Sequence, residues 1–310
     1  MTFDGLPERL DGFDQYYVNE LKPILDDLEV KRRKARSQFY KAVCAAIVVL
    51  IPLANVINNS DIMFIVGIPT ILILGYFYRK MLVFRKQAKL AIMPEICRHF
   101  DMEYIPTPHN GATTEYKELS LIPGYDEKKL EDGVVGEIDG VDFNLFEATL
   151  VTVHEDSEGS TTRTTVFKGL LGKFEFHKNF TSTTLISKDL TSFGNFLTGW
   201  TSKGNRVKLE DPKFENEFEV YSTDQIEARY LLTPSFMERI LKLSRFPKID
   251  DIELAFCRGH LFMAIKRSAQ YLEGDGYDLN DPQHISSNIK DIASIFDIVK
   301  ELNLTLETKI

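Results

Sequence analysis

The sequence predicts an α+β protein: a two-helix transmembrane hairpin followed by a cytoplasmic domain of mixed antiparallel sheet and helices. Three observations carry this. Two uncharged apolar runs, Ala42–Ile57 and Ile62–Tyr78, are split by the polar turn Asn58-Asn59-Ser60-Asp61. Past Leu119 the pattern changes to short β-branched and aromatic runs separated by turn residues, the mark of strands. Helix start signals and an amphipathic stripe then return after residue 222, and such an order indicates an α+β domain. The expected divisions are a cytoplasmic N-terminal helix at 1–38, the hairpin at 39–86 with spans at about 40–57 and 62–78, a membrane-proximal helix and linker at 87–110, and the cytoplasmic domain at 111–310.

At about 1.5 Å per residue, each apolar run reaches across most of a hydrocarbon core of about 30 Å. Pro52, Asn55, Gly67, Pro69 and Gly75 interrupt the runs and leave a buried helix pair as the alternative. The flanks favour the membrane. Lys31, Arg32, Arg33, Lys34, Arg36 and Lys41 precede the hairpin; Arg79, Lys80, Arg85, Lys86 and Lys89 follow it; the turn carries only Asp61. Lys and Arg collect on cytoplasmic flanks. The expectation is therefore a multi-pass inner-membrane chain with both termini cytoplasmic and these basic residues at the membrane interface. Tyr40, Tyr76, Phe77 and Tyr78 stand where an aromatic belt would lie.

Before the hairpin, Tyr17, Leu21, Ile24 or Leu25, and Leu28 recur at helical spacing, with Pro23 in the first turn or at a kink. That stripe suits a helix docked on its own soluble domain, or one that binds a partner or lies on the membrane. Beyond Tyr78 the helix is expected to run on to Arg98, with Pro94 as a possible kink, before the break Ile105-Pro106-Thr107-Pro108-His109-Asn110-Gly111.

The β region opens with Val134–Ile138 and Val141–Val153 around Asp139-Gly140, a tight-turn hairpin signal that needs positive φ. Phe143, Leu145, Glu147, Thr149, Val151 and Val153 share a face, while Phe146, Ala148 and Leu150 imply cover on the other face too. A polar loop, His154–Thr162, leads to strands at Thr164–Phe176 and Thr181–Ser187; Gly169 and Gly172 suggest a bulge or close backbone approach. In Lys188–Asn205, Phe193, Phe196, Leu197 and Trp200 recur at helical spacing, as a cap on the core or a segment dipping into the membrane interface. A strand is expected at Glu217–Tyr221, helices after Ser222-Thr223-Asp224-Gln225 and after Thr233-Pro234, and a hairpin at Asp251–Cys257 and Leu261–Lys266. Ser286–Leu302 reads as a closing amphipathic helix packed on the sheet.

Val166-Phe167-Lys168-Gly169-Leu170-Leu171, and Leu209 through Tyr221 running on to Glu227-Ala228-Arg229-Tyr230-Leu231-Leu232-Thr233-Pro234, resemble a bacterial membrane-protein family catalogued as domain of unknown function 3137. Gly136 and Phe143–Glu147 fit it as well. The resemblance covers about residues 15–265 and implies an N-terminal helix, two membrane segments, a large C-terminal domain and a bacterial inner membrane. It brings no catalytic residues.

Net charge is −9, but residues 31–89 balance at +10 and the remainder at −19. The acidic remainder argues against nucleic acid, which needs a basic footprint. Three scattered cysteines, Cys44, Cys97 and Cys257, suit a reducing compartment without a disulfide framework. GxGxxG, P-loop, HExxH, CxxC and GxSxG motifs are absent, so no cofactor, metal or catalytic residue is assigned. His154-Glu155-Asp156-Ser157-Glu158 lacks the spacing of a Ca²⁺ loop. The ligand-binding candidates are Glu147, a possible base on an apolar face unless paired with Lys168 or Lys173, and Arg229, which either rings a pocket with nearby acids or bonds Glu227 or Asp224 along its helix. The expected function is a membrane-anchored protein-interaction or scaffold module, with the bilayer and a protein as partners. The alternative is an anchored enzyme or small-ligand sensor with its site in the β-rich region.

Overall fold

Two long helices and a nine-stranded antiparallel sheet make up the computed structural model. It describes residues 13–56, 60–157, 159–188, 204–246, 249–267 and 297–298, and of 13–14, 49–56, 60–66, 80–86 and 88 the backbone alone. The chain divides after His99 into a helical unit and a sheet unit.

In the helical unit, α1 (Phe13–Tyr16) passes through a π-helical turn, Tyr17–Leu21, into α2 (Lys22–Val56). The Lys22 amide donates to the Tyr17 carbonyl, the wider π spacing, directly ahead of Pro23. A proline in a helix cannot donate and crowds the preceding turn, so a widened turn is the expected accommodation. The expected stripe is real: Tyr17, Leu21 and Leu25 are buried. α3 (Ser60–His99) contains Pro69 and Pro94 without ending, and packs along α2. Tyr16 donates its hydroxyl to the Glu95 carbonyl at 2.9 Å and stacks on His99 at 4.2 Å. This antiparallel pairing sets the buried stripe of α2 beside buried Ile92, Met93, Ile96 and Cys97. Burial pushes the Cys97 thiol up to about 12.

The spans expected at about 40–57 and 62–78 lie within α2 and α3, apart from residue 57. Among the described residues, however, no helix is long and apolar enough to cross a membrane. Both helices run on from their apolar stretches into charged turns, Lys31–Lys41 in α2 and Arg79–Lys89 in α3.

The sheet unit begins earlier than the expected boundary at 111. β1 (Met102–Ile105) falls in the stretch read as linker, yet pairs with β2 (Glu127–Ile138). It is anchored by Tyr104, whose hydroxyl donates to the buried Asp132 carboxylate at 2.5 Å. A bulge at Asp132-Gly133 interrupts the pairing of β2 with β3 (Val141–Glu155). Asp139 and Gly140 take φ of 53° and 80°, the tight turn that Asp-Gly predicted. β4 (Thr161–Glu175) starts three residues before the expected strand, because β-prone Thr161–Arg163 extend it; the polar loop shrinks to residues 156–160.

β5 (Thr184–Ser187), β6 (Asn205–Val207), β7 (Glu219–Ser222), β8 (Asp251–Cys257) and β9 (His260–Lys266) complete the order β1-β2-β3-β4-β9-β8-β5-β7-β6. The β8–β9 turn is Arg258-Gly259, at φ of 51° and 75°. Gly169 meets the expected close approach: a Cβ there would stand 1.9 Å from the Ile265 carbonyl oxygen of β9.

Among the described residues, four short helices join the strands. α4 (Thr114–Glu118) covers one face of the sheet, where Tyr116, Leu121 and Ile122 pack on Phe146, Leu150, Phe167, Leu171 and Phe262. α5 (Pro212–Glu217) is capped by Asp211, with Pro212 in its first turn. α6 (Gln225–Leu231) is capped by Asp224, not by Ser222 as the sequence suggested. Ser222 is the last residue of β7, its hydroxyl 2.9 Å from that of Thr184. α7 (Pro234–Leu243) starts at the expected Thr233 cap and covers the opposite face, Phe236 lying 5.7 Å from Phe256 and 5.9 Å from Phe176. Both faces of β3 are therefore covered around Leu145 and Phe146, as the broken alternation implied. Phe193–Trp200 lies outside the described residues, as does the closing helix except Asp297 and buried Ile298.

Candidate functional site

The sheet unit holds a cavity of about 290 Å³ where α4 overhangs one end of the sheet. Glu115, Glu118 and Leu119 form one wall; Thr183 and Thr223 form another, ahead of β5 and just after β7; the β8–β9 turn brings Cys257 and Arg258, and Phe262 contributes its ring. The two threonines brace each other. The Thr183 amide donates to the Thr223 hydroxyl at 3.0 Å, and the Thr223 amide to the Thr183 carbonyl at 3.1 Å. The Thr183 hydroxyl also donates to Cys257 Sγ at 3.6 Å.

The α4 wall carries a composed ion pair. Lys173 Nζ sits 2.9 Å from Glu115 and 5.1 Å from the centroid of the Phe262 ring, so one ammonium is shared between a carboxylate and an aromatic face. Tyr116 stands edge-on to Phe262 at 5.6 Å and to Phe146 at 5.9 Å. Its buried hydroxyl has no hydrogen-bond partner among the described residues. Burial, reinforced by the charge of Glu115, holds that hydroxyl well above the usual tyrosine range. The lining offers acceptors, hydroxyls, a thiol and an aromatic floor, and its volume lies at the small end for ligand sites. Among the described residues, no group of three or more His, Cys, Asp or Glu is placed to hold a metal ion.

The sequence marks none of these residues as a site candidate, since they come from positions 115 to 262 and share no local motif. The site residues that did stand out fall elsewhere. Glu147 lies opposite Leu170 of β4 and Glu131 of β2. The hollow it lines with Thr149, Lys168 and Arg267 measures about 10 Å³, room for about one water. Lys173, one of the two partners expected for Glu147, pairs with Glu115 at 2.9 Å.

Arg229 lines neither cavity. It is exposed at the end of α6 and donates to the Gln225 carbonyl at 3.2 Å and the Lys208 carbonyl at 3.3 Å, not to Glu227 or Asp224. Glu227 instead accepts from the Thr181 amide at 3.0 Å and the Ser182 amide at 2.5 Å. Hydrogen bonding from Ser182, with the Thr181 amide, holds its carboxyl below the usual range.

The basic interface residues lie along the two long helices, several of them already engaged. Lys31 pairs with Asp27 at 2.6 Å, and buried Glu29 takes Arg32 at 2.6 Å and Arg33 at 2.8 Å. Arg36 lies 5.5 Å over the Tyr40 ring. Lys34 and Arg79 are exposed, and the side chains of Lys80, Arg85 and Lys86 lie outside the described residues.

The most informative surface is on α3. Gly67, Thr70, Leu74 and Phe77 are half-buried, at three- and four-residue spacing, while Ile68, Ile71, Leu72, Ile73, Tyr76 and Tyr78 between them are exposed. Only one narrow face of this apolar segment is therefore covered. Across the pair, Ile47 and Val48 of α2 are exposed too.

Residues 165–304 match the model of a family described as "Protein of unknown function (DUF3137)". Among solved structures, that of the mycobacterial trehalose monomycolate transport factor A, TtfA, is similar at 11% identity and a TM-score of 0.33, covering 66% of this chain and 91% of that one. A likeness at that score fixes neither fold nor function. No curated protein matches.

Proposed function

We propose that this chain, which through residues 165–304 belongs to the DUF3137 family, is a membrane-anchored protein-interaction module. The helix pair seats in a bilayer, and the sheet unit binds another protein. The observation that carries the anchor is the exposure of α3 from Ile68 to Tyr78. Ile71 is 69% exposed and Leu72 67%, on a helix whose covered face is one residue in three or four. A single partner helix would cover a stripe. Apolar side chains on all remaining sides call for an apolar solvent, and a helix hydrophobic all round is either core or membrane span. The flanking Lys and Arg with exposed Tyr40, Tyr76 and Tyr78 support the inner-membrane orientation, both termini cytoplasmic.

Alkaline carbonate washing of membranes tests the anchor: the chain should stay in the pellet, and its release would overturn the reading. Cysteine introduced at Asn59 should label from outside the cell, and cysteine at Ser157 should not. Pull-down with and without residues 105–310 tests the module. A partner set unchanged by the deletion would count against it.

The cavity beside α4 favours a second reading, a sensor of a small ligand. It predicts a ligand-dependent rise in melting temperature that Thr223→Trp, which fills the cavity, abolishes. The hollow beside Glu147 has room for about one water, so this second reading rests on the cavity beside α4.

A further inference from the structure

We infer that the cavity beside α4 takes a small zwitterion, a molecule with one cationic nitrogen and one carboxylate, such as a free α-amino acid; this rests on reading that cavity as the site of a small-ligand sensor. Its volume of about 290 Å³ falls at the lower limit of ligand pockets, about 300 Å³, so the occupant is smaller than a drug-sized molecule. Three of its lining residues carry charge: Glu115, Glu118 and Arg258. Glu115 is neutralised, because both its carboxylate oxygens meet Lys173 Nζ, at 3.1 and 2.9 Å. One charge of each sign is left, Glu118 on α4 and Arg258 in the β8–β9 turn.

Neither of these side chains is spoken for. Among the described residues, no ion pair or side-chain hydrogen bond engages Glu118 or Arg258, and the two do not close on each other. Arg258 is engaged through its carbonyl, 2.8 Å from the His260 ring. Lys117, the base next to Glu118, lies 5.5 Å over the Tyr125 ring and does not line the cavity.

This pattern selects by charge. A simple anion would meet Arg258 and bring like charge to Glu118, and a simple cation would do the reverse; an unfavourable charge contact of that kind is how sites reject near relatives of their ligand. A neutral molecule would displace water from both charged groups and return nothing to either. A zwitterion satisfies the two together. The hydroxyls between them match. Thr183 donates its proton to Cys257 Sγ, which leaves its oxygen lone pairs for an ammonium. Thr223 accepts the Thr183 amide, which leaves its hydroxyl proton for a carboxylate. Leu119 and the Phe262 ring offer apolar surface to the rest of the molecule.

Cys257 lines the same cavity and is half-buried, so its alkylation by iodoacetamide reports occupancy. The test measures that rate in the full-length chain, by mass spectrometry of the Cys257 peptide, against the free L-amino acids. Their N-acetyl derivatives lack the cation and their amides lack the anion; sugars, simple amines and simple carboxylates complete the panel. At least one amino acid should slow alkylation in a saturable way, with its N-acetyl and amide derivatives weaker by about tenfold or more. Glu118→Gln should erase the preference over the N-acetyl derivative, and Arg258→Gln the preference over the amide, each with the circular dichroism spectrum unchanged. Derivatives that protect as well as their parent, or preferences that survive both substitutions, would overturn the zwitterion and leave the sensor reading standing. Protection by a sugar, an amine or a simple carboxylate alone would do the same. Unchanged alkylation with every compound would remove both readings.

Discussion

Along α3, Ile68, Ile71, Leu72 and Ile73 face outward from a helix covered on one narrow side, whereas in the sheet unit Phe146, Phe174, Phe256 and Phe262 are enclosed by α4 on one face or α7 on the other. The two units hold comparable kinds of apolar side chain and place them oppositely. Charge divides in the same direction: residues 31–89 balance at +10, and the chain from residue 100 at −13. Burial follows whatever excludes water. In the sheet unit the protein supplies that medium itself through both covered faces. In the helical unit, Ile68, Ile71, Leu72 and Ile73 stay exposed beside α2, and the proposed anchoring would supply the medium that covers them.

The sharpest way to break this contrast is to make the exposed apolar surface polar. Ile71→Lys with Leu72→Lys places two cations in the middle of the apolar run. If the segment lies in hydrocarbon, each costs about 2.5–3.5 kcal/mol, and the double variant should shift largely from the carbonate-resistant pellet to the supernatant. If the segment lies in water, both changes fall on exposed positions and the distribution should not move.

Glycine gives a matched pair across the two units. Gly75→Ala in α3 meets open space and should leave membrane retention and melting temperature unchanged or slightly raised, since Ala favours helix over Gly by about 1 kcal/mol. Gly169→Ala in β4 puts a methyl group 1.9 Å from a carbonyl oxygen of β9. Neither backbone can withdraw without breaking the central ladder, so a loss of about 3 kcal/mol is expected, read as a fall in the midpoint of chemical unfolding. Equal effects at the two positions would mean that β4 and β9 are not so closely paired.

How legible each part was depended on how local its cause is. Asp139-Gly140, Thr233-Pro234 and the Tyr17, Leu21, Leu25 stripe could be read directly, because a turn, a cap and a helix face are each specified within a few residues. The cap of α6 was placed two residues early. Ser222 has the right chemistry, but pairing of β7 with β5 claims it for the sheet, and Asp224 is the next acceptor free to cap. β1 and α4 went unread because four or five residues show no period of their own; the strand that holds β1 pairs with it 28 to 34 positions downstream, and Phe146 stands 30 positions beyond Tyr116 of α4. The cavity was invisible for the same reason, its walls meeting only once β5, β7, β8 and β9 are adjacent. Glu147 attracted notice as an acid on an apolar strand face, but sequence alone does not reveal how tightly that face closes around it.

Whether β1 is integral to the sheet unit is a smaller question with its own measurement. Tyr104→Phe removes the hydroxyl that donates to buried Asp132. A hydrogen bond to a charged group contributes about 1.5–3 kcal/mol, so the unfolding free energy should fall by about that much and the midpoint with it. An unchanged midpoint would indicate that β1 frays without cost and that the unit starts at α4.

The mildest expected effect isolates a single carboxylate. Glu227 ties the segment ahead of β5 to α6 through the Ser182 and Thr181 amides, and hydrogen bonding from these two residues lowers its folded pKa. A carboxyl whose folded pKa is depressed adds stability above its unfolded value, about 4.3, and loses that contribution as pH falls through the folded value. Glu227→Gln keeps the shape and one acceptor but loses the charge. At pH 7 it should lower stability by about 1 kcal/mol, below the usual range for a charged hydrogen bond because water reaches this site. As pH drops below about 4, wild-type Glu227 takes up a proton and the two proteins should converge. Other acids protonate over the same range in both proteins, so the difference between the two unfolding curves, not either curve alone, reports on this residue. A gap that stays constant from pH 7 to pH 3 would assign the effect of the substitution to packing, and would remove charge from the account of how α6 is held.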